Sequence, residues 1–156
     1  MFTDLLRGIA FLRPLSNEDL EGFAALLTTR ECKSGERILE EGAAPDSFYI
    51  ICDGVVHVRR RANTREMLMG RIGAGAFFGE VNLFDPGVAT ASIVAMKKVT
   101  LAVISYADFR QFMEANPKAG YQIASGLMRE LSQRLRTTNA RLVNAIYWSP
   151  REASDT

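Results

Sequence analysis

The chain has 156 residues, a net charge of +1, and is 47% hydrophobic and 24% charged. That length and apolar content fit a single domain with a proper core, and the near-neutral balance excludes a global field drawing the protein onto nucleic acid. No run reaches the roughly 18 apolar residues of a membrane-spanning helix, and the start, MFTDLLRGIAFLRPL, lacks the small-residue cleavage site of a signal peptide.

In chain order, Asp4 to Phe11 predicts a short amphipathic helix broken by Pro14. Ser16, with Asp19 three residues on, caps a second helix ending near Thr28 or Thr29. Leu20, Phe23, Ala24 and Leu27 share its buried face. From Arg30 to Ser105 the runs become short and rich in β-formers. Strands are expected at Arg30–Lys33, Arg37–Glu40, Ser47–Cys52, Val55–Arg60, Glu66–Ile72, Ala91–Met96 and Thr100–Ser105, separated by turn residues. Such spacing points to a sandwich, roll or barrel. Cys32 and Cys52 form no CxxC pair and read as buried thiols of a cytoplasmic protein. The single His57, expected to face outward, leaves too little for a zinc site or a histidine-dependent triad. Arg59-Arg60-Arg61 with Arg65 reads as a solvated hairpin tip.

After Ser105 the pattern is helical again: Tyr106 to Ala115, capped by Ser105 with Asp108, then a helix from Pro117 to about Tyr147 with Asn116 as its cap. At about 1.5 Å per residue the second would be roughly 45 Å long, weakened only by Gly126. Ala124, Met128, Leu131, Leu135, Thr138, Leu142 and Ala145 repeat at alternating spacings of 4 and 3, an a/d seam. Ile123, Leu127 and Ile146 form a second apolar edge, so one edge can pack on the domain while the seam meets a second copy. Arg129, Arg134, Arg136 and Arg141 read as a solvated face, Tyr147 and Trp148 as packing contacts, and residues 148–156 as a tail.

The stretch with most chemical content is Gly73 to Ala95, GAGAFFGEVNLFDPGVATASIVA. Gly79 lets a ligand approach the backbone, and Glu80 can accept hydrogen bonds from a ligand hydroxyl. Glu80 to Phe84 can form one helical turn whose free N–H groups attract an anion. The small residues Ala89 to Ser92 leave room beside it. The same residues also fit a plain glycine-rich turn between strands. Gly73-Ala74-Gly75 lacks the strand–turn–helix setting of a dinucleotide fingerprint, and no GK[ST] follows to make a P-loop.

Three blocks, in order, resemble a cyclic-nucleotide-binding domain of the catabolite-activator type. They are Glu41 to Gly54 (EGAAPDSFYIICDG), Phe78 to Leu83 (FGEVNL), and Asn116-Pro117 followed by Leu131 to Leu142. The resemblance implies a mainly β fold: a double-stranded, jelly-roll-like β-roll (30–105) between N-terminal helices (1–29) and C-terminal helices (106–147), the last a dimerisation helix. It also implies a ligand site at Gly79, Glu80 and Val81 of the phosphate-binding cassette, with Ala89 where the family has the phosphate-pairing arginine, then Thr90. Thr138 and Asn139 would reach the base.

No arginine lies between Arg71 and Arg110, so the cassette lacks its main cation. Two readings stand: a sensor module binding cAMP, cGMP or a related small ligand and signalling through a homodimer helix to a protein partner, or a dimerisation and interaction module of the same fold that binds no nucleotide. No metal, prosthetic group or enzymatic residue set is expected. The residues after Tyr147 are too few for a helix-turn-helix, which disfavours a DNA reader.

Overall fold

The computed structural model describes residues 2–148. The chain runs α1 (Phe2–Arg7), a single tight helical turn (Ala10–Leu12), α2 (Asn17–Ala24), β1 (Thr28–Cys32), β2 (Arg37–Leu39), β3 (Ser47–Asp53), β4 (Val55–Ala62), β5 (Arg65–Gly73), β6 (Phe77–Phe78), α3 (Val81–Phe84), β7 (Ser92–Ala95), β8 (Val99–Ser105), α4 (Tyr106–Ala115) and α5 (Pro117–Trp148). The two capping serines act as read from the sequence: the N–H of Asp19 donates to Ser16 Oγ and that of Asp108 to Ser105 Oγ, both at 3.1 Å.

The strands form two four-stranded antiparallel sheets, ordered β1-β8-β3-β6 and β2-β7-β4-β5. Period-two alternation in β3 divides the core. Phe48 and Ile50 face the helices, joining Leu6, Phe11, Phe23, Phe109, Ile123 and Leu127. Tyr49 and Ile51 face the roll interior with Cys32, Ile38, Val56, Phe78, Ile93 and Leu101. Edge-to-face rings stitch the first cluster, Phe11 lying 5.2 Å from Phe77 and Phe48 lying 5.1 Å from Phe109.

The expected first helix is broken at Gly8 into α1 and the tight turn. The second stops at Ala24, so β1 begins at Thr28, two residues before the expected Arg30. The pair Phe77–Phe78 forms β6 against Tyr49 and Ile50, too short for periodicity to register. At the C-terminal end α5 extends through Trp148, one residue into the expected tail of 148–156, and the rest of that tail, 149–156, lies outside the described residues. The arginine run is not a bare hairpin tip. Arg59 pairs with Glu66 at 3.5 Å, Arg60 with Glu41 at 3.7 Å and Arg61 with Glu40 at 3.3 Å, tying β4 to its neighbours.

In α5, Gly126 does more than weaken a helix. A Cβ there would stand 2.7 Å from both Cα and Cβ of Phe11, so only glycine lets the helix cross the tight turn this closely. Ala119, Ile123 and Leu127 are buried around that crossing, while Met128, Leu135 and Leu142, on the seam, are 57–67% exposed.

His57 faces outward as expected, yet it is covered there. Alternation does place it opposite Val56, on the outer face of its sheet, but it is only 7% exposed. Arg59 Nη2 lies 3.3 Å from its Nδ1, Arg71 and Val94 are its cross-strand neighbours, and its Nε2 has no hydrogen-bond partner among the described residues. Burial, then Arg59, then Arg71 hold its pKa below the ordinary histidine value. A depressed histidine stabilises the fold fully above its unfolded pKa and loses that contribution as pH falls through the folded one. The denaturation midpoint should therefore drop between pH 7.5 and 5.5, and drop less in His57→Asn. Equal drops in parent and variant would sink this assignment.

Candidate functional site

Between the open end of the roll and α5 lies a cavity of about 770 Å³. Leu39, Val58, Ile72, Phe78 and Ile93 give it an apolar floor, continuous with the roll core. The cassette forms one wall with Gly79, Glu80, Val81, Ala89 and Thr90. Glu130, Gln133, Arg134, Thr137, Thr138 and Arg141 form the opposite wall; their spacing of three and four residues puts them on one stripe of α5.

The backbone is shaped for this wall. Gly79 sits at φ 88°, and an added Cβ would lie 2.7 Å from the Ser47 carbonyl oxygen, so glycine is required by β3 behind it as well as by the open space before it. The Tyr106 hydroxyl donates to the Gly79 carbonyl. Its phenol is pushed up to about 12, first by burial and then by the charge of Glu80. Asn82 Nδ2 donates to the carbonyls of Val88 at 3.1 Å and Asp85 at 3.4 Å, folding the cassette loop onto α3, and Arg110 Nη2 donates to the Leu83 carbonyl at 2.7 Å.

Glu80 is 7% exposed. The cassette itself supplies no cation to it, but the fold brings one from α5: Arg134 does not lie on a solvated face as expected. Arg134 Nη1 lies 3.2 Å from Glu80 Oε1, its Nη2 donates to the Phe77 carbonyl at 3.3 Å, and its guanidinium stands 4.7 Å from the centre of the Phe77 ring. Glu130, one turn earlier, flanks it at 3.7 Å. Burial pushes the Glu80 carboxyl above its usual range, opposed by its own backbone N–H and by Arg134, and reinforced by Glu130. Arg134 lies four residues before Thr138 and thus on the same helix stripe, the one signal that pointed to it in advance.

Of the residues singled out from the sequence, Gly79, Glu80, Val81, Ala89, Thr90 and Thr138 all line the cavity. Asn139, the other half of the proposed base-reading pair, is exposed and is not among the lining residues. Phe78 contributes floor but does not fill the space, Phe77 packs on the helix side, and Phe84 is half exposed. Ala89 is buried, and its backbone is fully engaged: its N–H donates to the Ala43 carbonyl at 2.7 Å and its carbonyl accepts from the Gly42 N–H at 2.9 Å. No helix among the described residues is long and apolar enough to cross a membrane.

Residues 29–116 match the cyclic nucleotide-binding domain family. The chain is 34% identical over 114 residues to a CRP-like cAMP-activated global transcriptional regulator of Mycobacterium tuberculosis, covering 72% of this chain and 49% of that protein. It is 30% identical over 112 residues to the cAMP-dependent protein kinase type II regulatory subunit of Drosophila melanogaster, covering 72% of this chain and 29% of that protein. The chain thus spans half or less of the length of these curated relatives. A solved cyclic nucleotide-binding domain from Methylobacillus flagellatus shares the fold, with a TM-score of 0.84 over 97% of this chain and 88% of that one, at 23% identity.

Proposed function

The chain belongs to the cyclic nucleotide-binding domain family, and from that membership we propose that it is a regulatory sensor module. A cyclic nucleotide or a related small ligand enters the cavity between cassette and α5, and the signal leaves along α5. The carrying observation is the Glu80–Arg134 pair. The carboxylate best placed to accept ligand hydroxyls is the same group that holds α5 against the roll. A ligand that occupies Glu80 changes what Arg134 is bonded to, and so changes the attachment of the helix. The role is regulatory, with no reaction of its own, and the free thiols Cys32 and Cys52 fit a cytoplasmic setting. Titration calorimetry with cAMP and cGMP tests it directly: heat that disappears in Glu80→Ala supports the reading, and heat unchanged in that variant removes it.

The exposed seam on α5 supports a homodimer as the output form. Met128, Leu135 and Leu142 recur at seven-residue intervals and are all more than half exposed. Leu135→Glu puts a charge in the middle of that seam and should convert dimers to monomers in analytical ultracentrifugation at micromolar concentration. A monomeric parent would reject the arrangement. The second reading, an interaction module that binds no nucleotide, is favoured by one observation, the buried alanine at position 89.

A further inference from the structure

We propose that the ligand of this cavity is uncharged where it meets the cassette: a nucleoside, held by its ribose hydroxyls and its base, rather than the cyclic phosphate of one. This rests on the sensor reading above and specifies its ligand class. The first observation is the wall at Ala89. Its side chain is a methyl group, and its N–H is spent on the Ala43 carbonyl at 2.7 Å, so the position offers neither a cation nor a free donor. Thr90 beside it brings a hydroxyl and no charge. An anion pressed there would lose water and gain no charged partner, only the Thr90 hydroxyl and the N–H groups of the cassette turn, a weaker exchange than a charge-assisted pair.

The second observation is where the cavity's cations are. Arg71 lines the cavity, but its neighbours Gly70 and Ile72 face inward with Val58 and Val56, which puts the Arg71 side chain on the outer face. There its charge acts on His57. Arg134 is committed to Glu80 and the Phe77 carbonyl. Arg141 lies seven residues further along α5 than Arg134, about 10 Å along the helix axis and on the wall opposite Ala89. Apart from Arg71, the charged residues on the lining balance, Glu80 and Glu130 against Arg134 and Arg141.

The third observation is what remains. A buried carboxylate accepts adjacent hydroxyls, an apolar floor of Leu39, Val58, Ile72, Phe78 and Ile93 takes a flat ring, and Thr138 and Gln133 can read its polar edge. A hydroxyl-bearing aromatic body without charge satisfies all three.

The test is titration calorimetry on the intact chain with adenosine, guanosine, cAMP, cGMP and free ribose, for the parent, Ala89→Arg and Arg141→Gln. A nucleoside should bind the parent about tenfold tighter than its own cyclic phosphate, and Ala89→Arg should reverse that order. Ribose should bind far more weakly than either nucleoside. A parent that binds the cyclic phosphate as tightly as the nucleoside overturns the proposal, and loss of that binding in Arg141→Gln would assign the anion to the helix wall. If Ala89→Arg binds cyclic nucleotides while no nucleoside binds either protein, the proposal falls and the sensor reading stands. If nothing binds parent or variant, both fall. Ribose equal to adenosine also overturns it, because the base would then contribute nothing.

Discussion

Ala89→Arg should tighten the binding of cAMP or cGMP by about ten- to a hundredfold. A charge-assisted hydrogen bond from a guanidinium to a phosphate contributes roughly 1.5–3 kcal/mol, and each 1.4 kcal/mol is about one decade of affinity. The site can accept the larger side chain because Ala89 is a shared wall: it lines the main cavity and also a second, smaller one of about 380 Å³ behind the cassette. Its backbone is clamped between Gly42 and Ala43, so the substitution should leave the loop in place. Calorimetry on folded variant and parent measures the change. An intact fold with unchanged affinity would show that the pocket no longer recognises cyclic nucleotides, and, if no nucleoside bound either, the interaction-module reading would replace the sensor.

Arg134→Ala should destabilise the fold by about 2 kcal/mol. Removing one partner of a buried ion pair typically costs about 3–5 kcal/mol, and here solvent reduces the figure, because the Arg134 side chain is 36% exposed. For a domain of this size that is a melting-point fall of roughly 4–8 °C. The loss should depend on pH. Glu80 already has a raised folded pKa, and without Arg134 it rises further. A carboxyl with a raised folded pKa costs nothing below its unfolded value and becomes destabilising as pH rises through the folded one. The deficit should therefore be small near pH 4.5 and full at pH 8, and Glu80→Gln should recover much of it in the double variant. A deficit independent of pH would mean that Arg134 acts through its packing on Phe77 and not through its charge.

How much of this was readable in the sequence follows how far apart the interacting residues lie. Ser16 with Asp19 and Ser105 with Asp108 are local devices, and each caps its helix as read; α5 starts at Pro117 as read, but Asn116 turns its side chain back onto α4, its Nδ2 donating to the Phe112 carbonyl. The apolar repeat on α5 was also readable, since periodicity needs only one helix, and its Met128, Leu135 and Leu142 are exposed. The cassette residues came together because they lie within a dozen positions of one another. Arg134 and Glu80 are 54 positions apart, and nothing in either neighbourhood names the other. The burial of His57 depends on Arg71 of β5 and Val94 of β7, which a single-strand alternation cannot see. The close approach of Phe11 to Gly126 spans the whole domain, so the glycine looked like a flaw in a helix.

The Gly126 crossing makes α5 a lever of unequal arms. The bare glycine is where α5 is held closest to the domain, against Phe11 and with Ala119, Ile123 and Leu127 buried around it, so a tilt of the helix would turn about this point. Arg134 lies eight residues beyond it, about 12 Å, and Tyr147 lies twenty-one residues beyond it, about 32 Å. A tilt that displaces the axis by about 1 Å beside Glu80 sweeps the far tip by about 2.6 Å, roughly half the pitch of one helical turn. In the homodimer proposed above, packed through seven-residue repeats, a shift of that size would be enough to take knobs out of their holes.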